Sequence, residues 1–242
     1  MNAPVGQPVV LVHGSRTSRT MWRRQVAALE AAGHRPLAID LPGHGSRRGE
    51  SFTVDRALHV IDGAVDELGG SALVVGLSLG GYLGIGYAGR HPTKVRGLVA
   101  ASCSTDPDTW LTDAWLTVAR WIGRRGDSGA ALNQRMVDLF LQEDAARDVA
   151  AGGFALDVMG DMLTGMRATR PLDDLARIPC PVWIVNGRWD HFRAQERTFV
   201  RAAPDGRLVV IRDATHLVSL VKPVAFTRVV LEAADEVGRA EA

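Results

Sequence analysis

The sequence predicts an α/β fold: a mostly parallel sheet of about six strands, helices on both faces, and a helical insertion. Three observations predict it. Short apolar runs rich in Val, Ile and Leu alternate with stretches of helical periodicity. Several of those runs end at a glycine-containing turn. One interval between runs, about 70 residues long, exceeds what a single crossover helix needs.

The elements follow in order. Val9-Val10-Leu11-Val12 reads as a strand ending at His13-Gly14. Met21 to Ala32 sets Trp22, Val26 and Leu29 on one helical face, and Gly33 closes it. Arg35 to Asp40 is the next strand, ended by Leu41-Pro42-Gly43-His44-Gly45. Val54 to Leu68 is helical and stops at Gly69-Gly70. Ala72 to Val75 is a strand, and a helix runs from Ser78 to about His91-Pro92. Val95 to Ala101 and Pro181 to Val185 are strands, the latter leading into Asn186-Gly187-Arg188-Trp189-Asp190. A helix to Ala203, a strand from Arg207 to Ile211 and a closing helix from Val224 to Val237 complete the pattern. Uniformly apolar strands separated by helices imply a sheet buried on both faces.

The long interval sets the domain organisation: residues 1–104 and 173–242 form the core, and 105–172 a helical lid. Its stripes are Leu111, Trp115, Val118 and Ile122, then Met136, Leu139 and Phe140, then Phe154, Val158, Met162 and Met166. Three of the six tryptophans and four of the six methionines fall there. Most such stripes dock a helix onto its neighbour. Met and Trp enrichment also suits an adaptable pocket wall, with Trp115 and Met162 as substrate-binding candidates.

Composition narrows the function. A formal net charge of +1 argues against a nucleic-acid binder. No apolar stretch reaches membrane-spanning length, and the N-terminal residues lack a signal-peptide pattern. Cys103 and Cys180 make no disulfide framework. The expectation is a cytoplasmic protein, monomer or homodimer, acting on a small molecule without nucleic-acid or membrane partners. No His/Cys/Asp/Glu spacing marks a metal site, and no cofactor is expected.

The chemistry centres on Gly76-Leu77-Ser78-Leu79-Gly80-Gly81, between an apolar strand and a small-residue helix. A serine on such a strand-to-helix turn is strained and exposed above the sheet, and the helix N-terminus faces any oxyanion formed there. Serine needs a base that is itself oriented by a third group. His216, beyond the last strand, is the candidate base, and Asp190, at the end of the preceding strand, the candidate acid. The order Ser78, Asp190, His216 suits this elbow. Asp106 and Asp108 are alternative positions for the acid. His34, His59 and His91 are expected in solvent, and His44 in a structural role. His191 adjoins Asp190, but neighbouring strand-end residues point apart. The oxyanion donors are expected to be the backbone N–H groups of Leu79 and Ser15, while His13 shapes the loop.

With His13-Gly14, Asp40-Leu41-Pro42-Gly43-His44-Gly45, the serine elbow, Gly187 with Asp190, and His216, the chain resembles the α/β-hydrolase superfamily. The stretch from Ala31 to Leu41 is similar to the methylesterase and hydroxynitrile lyase branch. The resemblance implies an α/β-hydrolase fold and a Ser-His-Asp serine hydrolase acting on an ester, thioester or lactone of a small, largely apolar molecule. Its alternatives are a lyase, cyclase or cofactor-free peroxidase using the triad for acid–base chemistry and, against the apparently intact triad, a small-molecule receptor with a slow triad. Two departures stand out. The antiparallel N-terminal strand pair common in the superfamily is expected to be missing. The loop after His13-Gly14 is polar and basic, Ser15-Arg16-Thr17-Ser18-Arg19-Thr20, so Arg16 or Arg19 is expected to hold an anionic or carbonyl-rich substrate group, unless both are solvated surface residues.

Overall fold

Side chains alternate between the two faces of a strand, so strands this apolar must be covered twice. The computed structural model describes residues 6–108, 134–135, 137, 139 and 141–239. Its strands are β1 (Pro8–Val12), β2 (Arg35–Ile39), β3 (Ala72–Leu77), β4 (Val95–Ala101), β5 (Val182–Gly187) and β6 (Gly206–Ile211). They form one sheet in the order β2-β1-β3-β4-β5-β6, every neighbouring pair parallel.

The described helices are α1 (Arg23–Ala31), α2 (Val54–Glu67), α3 (Leu79–Arg90), α4 (Glu143–Ala151), α5 (Met159–Arg167), α6 (Pro171–Leu175), α7 (Glu196–Ala202), α8 (Val218–Val221) and α9 (Pro223–Arg239). On one face Val10, Val12, Val74, Leu98 and Ile184 share a core with α2, α3 and Phe199 of α7. On the other, Val9, Leu11, Val75, Val99 and Val185 pack with Trp22, Leu29 of α1 and Phe226 and Val230 of α9. On β1, β3 and β5 the two faces divide the residues by odd and even positions, as a doubly covered sheet requires. Each fully buried Val, Leu or Phe contributes roughly 1.5–3 kcal/mol. No described helix is long and apolar enough to cross a membrane.

Three details differ from the sequence expectation. The predicted helix from Met21 divides into a 3-10 turn, Arg19–Trp22, and α1, because the Ser18 hydroxyl accepts from the Thr20 N–H and caps the tighter turn. Two short helices, α6 and α8, carry too little periodicity to be seen in sequence. Leu139, assigned to an apolar stripe, is 74% exposed. Cys103 is buried and Cys180 half-buried; both are free thiols, and burial pushes the Cys180 thiol up to about 11.

Topology positions the site. The chain runs from β1 outward to β2, then returns to the other side of β1 as β3 and continues in one direction to β6. The order therefore reverses between β1 and β3, and in open parallel sheets ligands bind beyond the strands' C-terminal ends at such a point. Val12 pairs with Gly76, Leu77 with Ala101, and Ala101 with Val185, so these strands end level with one another. Within the insertion, α4 packs on the 3-10 turn, where Thr20 Oγ1 donates to the Asp148 carbonyl at 2.5 Å and Arg23 pairs with Asp148 at 3.0 Å. Helix α5 packs on α2. Trp115 lies outside the described residues.

Candidate active site

Between β3 and α3 the chain turns in one residue. Ser78 takes φ 53° and ψ −114°, a region where a non-glycine residue costs on the order of 1–3 kcal/mol. The flanking glycines make the turn possible. A Cβ on Gly76 would stand 2.2 Å from the Gly80 carbonyl oxygen, and one on Gly80 would stand 2.1 Å from that of Val12. The Ser78 N–H donates to the Ala101 carbonyl at 2.7 Å, and its own carbonyl accepts from Tyr82 at 3.0 Å. Pinned at both ends, the half-buried serine holds its hydroxyl above the sheet edge.

His216 meets that hydroxyl, Nε2 to Oγ, at 3.0 Å, and its Nδ1 lies 3.0 Å from Asp190 Oδ1. A carboxylate only accepts, so the imidazole proton sits on Nδ1 and Nε2 is left to accept from Ser78. Burial would raise the Asp190 pKa, but the hydrogen bond and charge of His216 and the Phe192 N–H at 2.8 Å outweigh it and hold the carboxyl below its ordinary range. Asp106 and Asp108, the alternative acids, are engaged elsewhere. Asp106 accepts from the Asp108 N–H at 2.9 Å, and Asp108 pairs with Arg167 at 3.2 Å.

Two supporting residues escaped the sequence reading. Ser102, fully buried at the end of β4 with φ 55°, donates its hydroxyl to the His216 carbonyl at 2.7 Å and its N–H to Val185 at 2.9 Å. It ties the His216 loop to the sheet, and nothing in an ordinary serine announces that role. His191 does not point away. Its ring lies 5.0 Å from the His216 ring and 4.5 Å from that of Phe192, and Phe192 is 5.0 Å from His216. Strand alternation fails here because β5 ends at Gly187, so residues 190–192 follow loop geometry. His34, expected in solvent, keeps a side chain only 9% exposed, beside Asp235 at 3.5 Å.

The loop after β1 closes on the serine. A Cβ on Gly14 would lie 3.6 Å from Ser78 Cβ, so the start of the loop that carries Ser15 packs against the elbow. Leu79 begins α3, and its N–H belongs to the helix's unpaired first turn. His13 is buried and donates from Nδ1 to the Gly14 carbonyl at 2.7 Å while its Nε2 accepts from the Leu41 N–H at 3.0 Å, the shaping role expected of it. Asp40 accepts from the N–H groups of Arg19 (2.8 Å) and Ser46 (2.9 Å). The Arg19 guanidinium stands 3.6 Å from Asp40, so its charge is committed. Arg16 differs. It reaches solvent, has φ 63° and makes no ion pair among the described residues, while surrounding protein desolvates its guanidinium and lowers its pKa. Met162 is 4% exposed in the apolar cluster with Phe52, Val158 and Met166, a docking position.

Comparisons with known proteins place the fold in a known family. Residues 9–229 match the model of the alpha/beta hydrolase family. The chain is 36% identical over 104 residues to epoxide hydrolase B of Mycobacterium tuberculosis, a match covering 40% of this chain and 29% of the relative, so the chain spans less than a third of that protein. It is 30% identical over 251 residues to the pimeloyl-[acyl-carrier protein] methyl ester esterase of Aromatoleum aromaticum, covering 92% of this chain and 95% of that one. Among solved structures it is similar to a thermophilic esterase from Thermogutta terrifontis with malate bound, at a TM-score of 0.78 and 25% identity over 98% of this chain and 92% of that one.

The buried loop histidine sets an acid sensitivity. Burial, followed by neighbouring His44, lowers the His13 pKa from 6.5 to about 3. Between those values the unfolded chain binds a proton that the folded chain does not. Stability therefore falls as pH drops through that window, by about 1.4 kcal/mol per pH unit from this residue alone. Denaturant unfolding across the window should give His13→Gln a shallower dependence by about that amount; parallel dependences would contradict the assignment.

Proposed function

We propose that this chain, which belongs to the alpha/beta hydrolase family, is a serine hydrolase that cleaves an ester, thioester or lactone of a small, largely apolar molecule. The observation that carries the reading is the continuous relay from Ser78 Oγ through His216 to Asp190, 3.0 Å at each step, with the imidazole proton committed to Nδ1. Ser78 attacks the substrate carbonyl as Nε2 takes its proton. Asp190 keeps the ring in the productive tautomer and stabilises the imidazolium. The N–H groups of Leu79 and Ser15 receive the developing oxyanion, a contribution of about 3–4 kcal/mol for one such donor. Nε2 then protonates the leaving group, and water, deprotonated by the same nitrogen, releases the acyl group. Relatives named as esterases support this chemistry.

Arg16 supplies a second part of the reading. Arg16, exposed and without an ion pair among the described residues, stands one residue from the proposed oxyanion donor and suits a substrate carrying a carboxylate. The malate-bound esterase is in keeping with that.

Turnover of p-nitrophenyl butyrate tests the first part. Ser78→Ala should lower kcat by roughly 10⁴-fold or more. For Arg16→Ala, KM should rise about 10-fold for a p-nitrophenyl monoester of a dicarboxylic acid, with the neutral ester unaffected. Equal effects on both esters would remove Arg16 from substrate recognition.

A further inference from the structure

His191, beside the relay, completes a donor set with Asp190 and His216. Asp190, His191 and His216 each offer a ligand atom, and the three atoms lie within 4.8 Å of one another. His216 Nδ1 is 3.0 Å and His191 Nδ1 is 4.0 Å from the same Asp190 oxygen. Zinc holds imidazole nitrogen at about 2.0–2.1 Å and carboxylate oxygen at about 2.0–2.2 Å, so two ligands on one ion stand at most about 4.2 Å apart. Both distances to Asp190 already meet that limit. The remaining gap between the rings closes with a small swing of His191, whose side chain is 58% exposed.

We propose that Asp190, His191 and His216 form an inhibitory site for a divalent transition-metal ion of the zinc type. Two imidazoles and one carboxylate suit such an ion, whereas magnesium and calcium prefer all-oxygen shells. The ion replaces the proton on His216 Nδ1 and bridges that nitrogen to Asp190 from beside the hydrogen-bond line. That proton moves through solvent to Nε2, so the ring stays neutral and no proton is lost overall. The ring then donates from Nε2 and cannot take the proton of Ser78. The inhibition rests on the serine-hydrolase reading; the binding does not.

Equilibrium dialysis against Zn²⁺, with Mg²⁺ as the comparison ion, tests the site directly. Wild-type protein should retain one Zn²⁺ per chain, releasable by EDTA. His191→Phe keeps an exposed ring in place but removes the nitrogen, and should bind Zn²⁺ more weakly by at least the roughly 10–100-fold that loss of a mere outer-shell partner costs. Ester turnover, each protein measured against its own zinc-free rate, should need correspondingly more Zn²⁺ for half-inhibition in that variant. Ser78→Ala should bind Zn²⁺ as wild type does. Equal affinity in wild type and His191→Phe overturns the proposal, as does a failure to bind Zn²⁺ in preference to Mg²⁺. Binding that depends on His191 in a protein that turns over no ester would sustain the metal site while ending the hydrolase reading.

Discussion

Ser78 occupies left-handed backbone because β3 and α3 approach too closely to be joined in any other way. The first turn of α3 lies against β1 and β3, and Gly76 and Gly80 leave no room for even one methyl group. The cost of the strained residue is met by its surroundings. The serine's N–H is bound to β4, its carbonyl to α3, and α3 is buried along most of its length. A hydroxyl held this way cannot relax into the sheet, and its place determines where a base and oxyanion donors must stand.

Those partners come from three other strand ends, so fixing the loops is the second requirement. The His13 imidazole and the Asp40 carboxylate join the loop after β1 to the loop after β2. Ser102 fastens the His216 loop to the end of β4. The Asn186 side chain donates to Ser104 at 2.8 Å and to Glu196 at 3.1 Å, and the Ser104 N–H donates to the Phe192 carbonyl at 3.0 Å, binding the Asp190 loop to the same strand end. Each neutral bond contributes only about 1 kcal/mol net, but buried donors left unpaired would cost more than that. The insertion joins this arrangement, for the Ala155 N–H donates to the carbonyl of Arg16 at 3.3 Å. This segment and the loop expected to bind the oxyanion are therefore in physical contact.

Local chemistry made much of this legible in the sequence. Apolar strands, glycine-terminated turns and the strand-serine-helix passage are short-range signals, and the chain order of Ser78, Asp190 and His216 follows from the topology they imply. What depends on loop conformation or distant partners was not legible. Arg19 is committed to Asp40, 21 positions away, which no local pattern reveals. Ser102 matters through a positive φ that serine does not advertise. His191 was assigned by a strand rule that no longer applies beyond Gly187. Met162 shows the ambiguity of an apolar helical stripe, which reads the same whether it docks a helix or lines a pocket.

The central claim is that Ser78 is an activated nucleophile, and covalent capture tests it most directly. Intact-mass analysis after exposure to a fluorophosphonate should show a single adduct on the wild-type chain and none on folded Ser78→Ala. A folded wild-type protein that stays unlabelled, or a Ser78→Ala variant that labels equally, would contradict the account.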